Sequence, residues 1–371
     1  MRVLVTGATG FIGGHVVAAL LAAGHEPVPC ARDKTFGKRR LPGLEWLKID
    51  FNTDTSVEDW LTQVQGVDAV VNCAGILQGS LGQSMAHVHR TGPIALFEAC
   101  ARAGVRRVVQ ISAIGADPNG ATAFSRSKAE ADEFLTGLDL DWIVLRPSLV
   151  YGAGSYGGTS LLRGLAALPV AIPLPDGGRQ RFQPIHIDDL TRSILRLIEP
   201  DAPARLILEP VGSQVRSVRE IVLGLRAWLG IAPAPVLALP MGVLRAFAKL
   251  GDLAGLFTGQ GTLRSTALKQ MELDNTAPVE PFAAAVGFTP RSFDEGLARM
   301  PSQVQDRWHA RLYFLRPLIL LSWVPAFFAL GGIVAALTRG TDDFMVPVGI
   351  ISGVFLFVLA LVAAWALRSQ R

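Results

Sequence analysis

Cysteine and charge are what this 371-residue chain has little of. Its three cysteines, Cys30, Cys73 and Cys100, lie far apart with no CxxC pair, which argues against a disulfide framework and a structural zinc site and points to a reducing compartment. Asp, Glu, Lys and Arg make up 18% of the residues, against about 25% in an average soluble chain. Apolar residues make up 50%, so disorder is excluded and a wholly soluble chain is the poorer reading. No strong bias to one sign of charge exists either: 35 cationic and 31 acidic residues leave +4. The cations are scattered except for Lys34, Lys38, Arg39 and Arg40, which make one basic loop and no nucleic-acid face. Internal repeats and low-complexity tracts are absent. So is an apolar segment before Val3, and no cleaved signal peptide is expected.

What is present is a regular alternation. Short β-branched runs, RVLVT, EPVPC, LEWLKI, DAVVNC, RRVVQIS and DWIVLR, read as strands. Between them lie helical patterns such as Phe11 to Ala23, Met85 to Ala103 and Thr122 to Thr136. This alternation implies right-handed crossovers and an α/β fold built on a doubly wound parallel Rossmann sheet. From Gly152 the pattern turns to Gly- and Pro-rich loops, a helix near Ile187 to Ile198, the strand ARLILEP and a helix from Val218 to Leu229, read as a small C-terminal α/β lobe. The stretch MGVLRAFAKLGDLAGLF gathers Arg245, Lys249 and Asp252 on one helical face, so it either packs on the lobe or lies in a membrane interface. The expected organisation is a dinucleotide-binding domain over 1–185, a partly interleaved lobe over 186–300 and a membrane anchor over 301–371.

That anchor rests on two apolar runs. Pro317 to Thr338 and Phe344 to Leu367 lack charge over 22 and 24 residues; as helices they would span ~33 and ~36 Å, enough for a hydrocarbon core of about 30 Å. Pro325 interrupts the first, which a membrane helix tolerates. Arg307, Arg311 and Arg316 precede the pair and Arg368 and Arg371 follow it, whereas the connecting turn carries Arg339 against Asp342 and Asp343. The positive-inside rule then puts both termini and the Rossmann domain on the cytoplasmic side of a bacterial-type inner membrane as a two-helix transmembrane hairpin.

The first strand runs into Thr6-Gly7-Ala8-Thr9-Gly10-Phe11-Ile12-Gly13, and a helix follows. Gly7 permits the tight turn, Gly10 lets backbone N–H groups approach a pyrophosphate, and Gly13 allows the helix to pack on the strand, with phosphates at the positive helix end. At the end of the second strand, where an acidic residue would hold the adenosine ribose, stand Ala31, Arg32, Asp33 and Lys34. Arg32, with Lys34, Lys38 and Arg39 nearby, favours a 2′-phosphate and hence NADP(H); NAD(H) remains open if Asp33 serves the ribose.

These motifs resemble those of the short-chain dehydrogenase/reductase superfamily, in its extended or atypical branch. TGATGFIG matches the superfamily's cofactor signature, and Asn72-Cys73-Ala74-Gly75 is similar to its strand-four motif. Further matches are Arg146-Pro147-Ser148 with Tyr151-Gly152, Phe182 through Asp189, and Gly287-Phe288-Thr289-Pro290. HVHRTGPIALFEACARAGVRRVVQISAIGAD most resembles the group that includes the NADPH-binding accessory subunit of respiratory complex I; ARLYFLRPLILLSW more weakly resembles a DoxX-like membrane domain. The resemblance implies cofactor contacts at Gly7, Thr9, Gly10, Phe11, Ile12, Gly13, Arg32, Asp50, Phe51, Ala74, Gly75, Lys128, Pro147 and Ser148.

It also implies a Ser, Tyr and Lys site in which tyrosine exchanges a proton with substrate, lysine lowers its pKa and holds the ribose, and serine steadies the oxygen. Ser112 and Lys128 fit. The tyrosine position, four residues before the lysine on one helical face, holds Phe124, which has no proton to give; Tyr151 is a substitute on the loop after the sixth strand. His87 and His89 face alike only in a strand, so they read as core or cap residues and no metal is expected. Asp188 and Asp189 read as the start of a helix, satisfying its free N–H groups. The leading expectation is a membrane-anchored NADP(H)-binding oxidoreductase acting on or near a quinone or isoprenoid, its partners being the dinucleotide, the bilayer and a membrane protein complex. Its rival is a non-catalytic structural, assembly or sensor subunit. A sugar-nucleotide epimerase or dehydratase would need the same missing tyrosine.

Overall fold

A computed structural model describes residues 1–154, 157–258, 265–272, 274–315, 319 and 322–368. They form two compact units. The first comprises Met1–Thr159, Pro173–Gly224 and Val236–Pro301. Its amino-terminal part alternates as the sequence patterning requires: β1 (Arg2–Thr6), α1 (Phe11–Ala22), β2 (Glu26–Ala31), α2 (Lys34–Arg40), β3 (Leu47–Lys48), α3 (Val57–Leu61) and β4 (Ala69–Asn72). A π-helical turn, His87–Thr91, leads into α4 (Gly92–Ala103), followed by β5 (Arg107–Ile111), α5 (Ala123–Thr136) and β6 (Asp141–Leu145).

Every pairing among these strands is parallel. A seventh strand joins at Leu206–Leu208, and the order across the sheet is Leu206–Leu208, β6, β5, β4, β1, β2, β3. The order reverses between β1 and β4, the place where open α/β sheets bind ligands beyond their carboxyl ends. Period two along β1 explains the layering: Val3 and Val5 join a core with Val17, Leu20, Ile143 and Leu197, while Leu4 joins Val70, Trp60, Phe97 and Leu135 on the opposite face. Each such fully buried side chain contributes about 1.5–3 kcal/mol. Helix ends follow local chemistry. Gly10 starts α1 in extended conformation, Gly104 ends α4 at φ +78°, and the Thr122 hydroxyl accepts the Ser125 N–H at the start of α5.

The remainder of this unit includes the short strands Val150–Tyr151 and Ile185–His186, which pair with each other, and the helix Ile187–Ile198. The amphipathic stretch forms the helix Met241–Thr258. Leu244 and Ala248 are buried against Leu268, Leu239 and Met241, so of the two placements open to it, packing applies to this face.

The second unit comprises Ser160–Ile172, Leu225–Pro235 and Ser302–Arg371. It contains the helices Val304–Arg311, Trp323–Arg339 and Met345–Arg368. The last two cross with backbones in contact, since a Cβ on Gly332 would stand 2.6 Å from the Gly349 Cα. Small residues at such a crossing let helices approach without a hydrophobic wedge. Met345–Ala364 is long and apolar enough to cross a membrane, whereas Trp323–Arg339 has 17 residues. The expected first span began at Pro317, but 316–318, 320 and 321 lie outside the described residues, as does Arg371.

Candidate functional site

A cleft of about 660 Å³ lies at the carboxyl ends of β1, β2 and β4. Of the residues expected at a dinucleotide, Gly7, Thr9, Gly10, Phe11, Arg32, Asp50, Phe51, Ala74 and Gly75 line it. The glycines are there for space. Gly7 has φ +62° and a Cβ on it would lie 2.7 Å from the Cys73 carbonyl oxygen; one on Gly13 would lie 2.3 Å from the Gly7 carbonyl oxygen. Gly13 therefore shapes the turn from behind, and Ile12 packs against the core. Asp50 is braced inside the lining, its Oδ1 accepting the Asn52 N–H at 3.0 Å and the Asn52 side-chain amide at 2.8 Å.

Five expected residues are not in this lining: Ile12 and Gly13, Lys128, and the pair Pro147 and Ser148. The Pro147 carbonyl accepts the Ile114 N–H at 3.2 Å, and the Ser148 hydroxyl donates to the Asn275 carbonyl at 2.9 Å. Both take part in the joint between β6 and the segments that follow.

At the end of β2 the basic loop divides. Asp33 turns away and caps α2, its Oδ1 accepting the Thr35 N–H at 2.8 Å and the Phe36 N–H at 3.4 Å. The Thr35 bond, chiefly, holds its carboxyl below the usual carboxylate range. Lys34, Lys38 and Arg39 are not in the lining, while Arg32 and Arg40 are. The Arg40 guanidinium reaches to 3.6 Å from where a Cβ on Gly14 would stand. Arg40 is the cation that the sequence left undistinguished within its basic run.

Beyond Gly75 the cleft meets a buried polar cluster. Lys128 is fully inside; its Nζ donates to the Ile111 carbonyl at 2.9 Å and the Ala74 carbonyl at 3.4 Å, and lies 3.3 Å from a Cβ built on Gly75. Burial pushes its pKa down to about 8. Phe124, one turn earlier on α5, meets His89 edge-on with ring centroids 5.4 Å apart. His89 accepts the Ile76 N–H at Nε2 (2.9 Å), its Nδ1 is 3.0 Å from the Ser127 hydroxyl, and burial holds it neutral, well below the usual imidazole range. The reading of His89 as a core residue describes its place. Ser112 donates its hydroxyl to Asp132 Oδ2 at 2.7 Å, and Arg146 Nε reaches the same oxygen at 3.0 Å. Burial raises the Asp132 pKa against the pull of Ser112 and Arg146. Asp132 and Arg146 meet at Ser112, and His89 meets Phe124 and Ser127, only through the fold. The signal available was the i, i+4 spacing from Lys128 to Asp132.

Tyr151 does not line the cleft, which corrects its reading as a stand-in for the missing tyrosine. Its hydroxyl faces the Phe293 and Ser292 carbonyls at 3.3 and 3.4 Å, and a Cβ on Gly296 would lie 1.8 Å from it. Burial raises its pKa, so the hydroxyl stays protonated in a structural contact. Asp188 and Asp189 stand in the first turn of the helix Ile187–Ile198 as read, but Asp189 does not cap it. Arg291 takes its carboxylate from Nε and Nη2, at 2.9 and 2.8 Å, and His186 caps the helix instead by accepting the Asp188 N–H at 3.2 Å. Among the described residues no group of three or more His, Cys, Asp or Glu could hold a metal ion.

Comparison with known proteins agrees with this geometry. A ceramide reductase of Caulobacter vibrioides is 25% identical over 247 residues, 66% of this chain and 76% of that protein. The mitochondrial NADH-ubiquinone oxidoreductase 40 kDa subunit of Neurospora crassa is 26% identical over 223 residues, 58% of this chain and 57% of that one. The chain thus spans between about half and three quarters of the length of these two relatives. Among solved structures, MoeE5 in complex with UDP-glucuronic acid and NAD aligns with TM-score 0.61 at 22% identity, covering 81% of this chain and 97% of that one. The UDP-glucose 4-epimerase of Thermus thermophilus in complex with NAD aligns at 0.57 with 23% identity, covering 80% and 96%. At these identities the two structures share the fold. Residues 3–206, more than half of the sequence, match the NAD dependent epimerase/dehydratase family, and the chain belongs to that family.

Proposed function

We propose that this protein binds NADP(H) in the cleft and, held at a membrane by its carboxyl-terminal apolar helices, reduces a lipid-soluble acceptor of the quinone class. The observation that carries the cofactor choice is the β2 end, where Arg32 and Arg40 face the cleft while Asp33 is used as a cap. A 2′-phosphate would meet two guanidinium groups there, whereas the loop's carboxylate, Asp33, lies outside the lining and accepts α2 N–H groups at Oδ1. The rest of the lining fits a dinucleotide too: the glycine turn leaves no room for side chains, the amino end of α1 suits a pyrophosphate, and Asp50 with Phe51 suits an adenine.

When bound, the cofactor supplies or takes up a hydride. The chain has to orient its ring and neutralise charge on the acceptor oxygen. Lys128, cationic below about pH 8, stands one residue behind the lining at Gly75 and is the group that would hold the ribose. With Phe124 in place, no phenol delivers a proton, and Ser112 already donates its hydroxyl to Asp132. This favours an acceptor whose reduced oxygen is phenol-like, with pKa near 10, over an aliphatic ketone, whose alkoxide approaches the basicity of hydroxide. A quinone meets that condition. The apolar helix Met345–Ala364 supports a bilayer location, and the relatives named as a ceramide reductase and as a subunit of NADH-ubiquinone oxidoreductase support lipid-soluble chemistry.

Phe124 also supports a second reading, a non-catalytic NADP(H)-binding subunit of a membrane complex stabilised by its nucleotide. One experiment separates the two. The full-length protein, purified in mild detergent, retains NADP(H) on both readings, and only the first has it oxidise NADPH with a short-chain quinone.

A further inference from the structure

Two loops of the second unit carry no charge. No Asp, Glu, Lys or Arg occurs over 164–172 or 227–235, stretches that both belong to that unit and both reach the surface. Val170 is 80% exposed, and Pro169, Ala232, Pro233 and Pro235 are exposed with it. The loops are fastened side by side. Ile172 donates its N–H to the Pro235 carbonyl at 2.9 Å. The buried Arg226 donates to the Ala166 and Leu168 carbonyls of the first loop, at 2.7 and 2.8 Å, and to the Ala232 carbonyl of the second.

Their chemistry suits an apolar interface. Backbone that enters lipid needs partners for its polar groups; Arg226 takes three carbonyls at the base of the pair, and Pro169, Pro233 and Pro235 have no N–H to leave unpaired. The charge of the unit fits the same surroundings. Before its first apolar run, its one acidic side chain is Asp306, against Arg163, Arg226, Arg307, Arg311 and Arg316, a balance that complements anionic headgroups. Position supplies the occupant. A Cβ on Gly164 would lie 2.7 Å from the Tyr313 ring, so the helix Gly158–Ala166, which leads into the first loop, packs on the segment between Val304–Arg311 and the apolar helices. Val304–Arg311 packs in turn against Met345–Arg368, which holds the stretch long enough to cross a bilayer.

We infer that the loops at 168–171 and 231–235 dip together into the interface of a lipid bilayer, as a membrane contact additional to the apolar helices. The inference rests on the proposed membrane insertion and goes beyond it, since a helical anchor alone does not hold these loops at lipid.

Depth-dependent quenching tests it on the full-length protein in vesicles of phosphatidylcholine and phosphatidylglycerol. A cysteine placed by Val170→Cys or Ala232→Cys carries an environment-sensitive fluorophore, and the vesicles contain a nitroxide lipid labelled either near the headgroup or at the chain end. Lys38→Cys, exposed on α2 of the first unit, and Val354→Cys, within Met345–Ala364, are the references, with the unsubstituted protein setting the background from native thiols. The labels at 170 and 232 should lose more fluorescence to the shallow nitroxide than to the deep one, the label at 354 more to the deep one, and the label at 38 little to either. Val170→Asp should reduce the quenching read at 232 while the label at 354 stays deep. NADPH affinity reports folding of each variant. A deep signal at 354 with 170 and 232 behaving like 38 would overturn the loop contact and leave the anchor standing. Release of the protein from the vesicles would overturn both. Quenching at 232 that is unchanged by Val170→Asp, or equal quenching at 38, would also overturn the contact.

Discussion

Lys128 and Phe124 stand one turn apart on α5, the ammonium donating 2.9 Å to the Ile111 carbonyl while the phenyl ring meets the His89 edge. In the superfamily that this sequence resembles, that spacing carries a lysine and its phenol. The cation is in place behind Gly75, and the proton donor is an arene.

Phe124→Tyr restores one oxygen on that helical face. If the phenol is what limits chemistry on aliphatic carbonyls, the variant should gain activity toward a long-chain ketone by about 10²- to 10⁴-fold over a natural protein that shows almost none. Its NADPH affinity and quinone turnover should change little. Steady-state assays on both acceptors check this, and ketone activity already present in the natural protein would count against the assigned role of Phe124.

Arg32 and Arg40 are expected to select the 2′-phosphate. Arg32→Ala removes a charge-assisted contact and should weaken NADPH by about 10- to 100-fold with little change for NADH, Arg40→Ala acting in the same direction. Titration calorimetry on the purified protein measures both. Equal affinity of the natural protein for the two nucleotides would refute this selection.

Burial pushes the Lys128 pKa down to about 8, so the cation is present at neutral pH and lost as pH rises. Affinity for an anionic dinucleotide should fall as pH rises through about 8, and bound nucleotide should in turn raise the lysine's pKa. Lys128→Met should bind more weakly and lose that pH dependence. A variant keeping the same slope would show that another group titrates there.

The sequence made the sheet legible because two periodicities alternate in it without interruption, and the glycine turn was legible because Gly7, Gly10 and Gly13 each answer a steric need visible from spacing. Asp132 and Arg146 were not legible as partners of Ser112, nor His89 as a neighbour of Phe124. The contacts that gather Ser112, Asp132 and Arg146 join β5, α5 and the end of β6, and no local pattern encodes which carboxylate a buried serine reaches. Tyr151 illustrates the converse, since a hydroxyl on a loop near the sheet edge looked available until the Ser292–Phe293 carbonyls claimed it. Arg40 was hidden by its own neighbours, four cations in seven positions of which α2 turns one into the cleft.

If the two apolar helices insert as a hairpin, the flanking arginines put both ends on the cytoplasmic side. A reporter fused after Arg371 should be active in the cytoplasm, and one inserted at Gly340, in the turn with Asp342 and Asp343, should be active outside. Carbonate washing should leave the full-length protein with the membranes. Its release, or an external carboxyl terminus, would contradict the anchoring.

The measurement closest to the central claim is NADPH oxidation by the full-length protein reconstituted in lipid vesicles with a short-chain quinone as acceptor, followed by loss of NADPH absorbance. The account predicts turnover that requires the quinone, prefers NADPH to NADH and falls with Arg32→Ala and Lys128→Met. Retained NADPH that is never oxidised would contradict it and leave the nucleotide as a structural ligand.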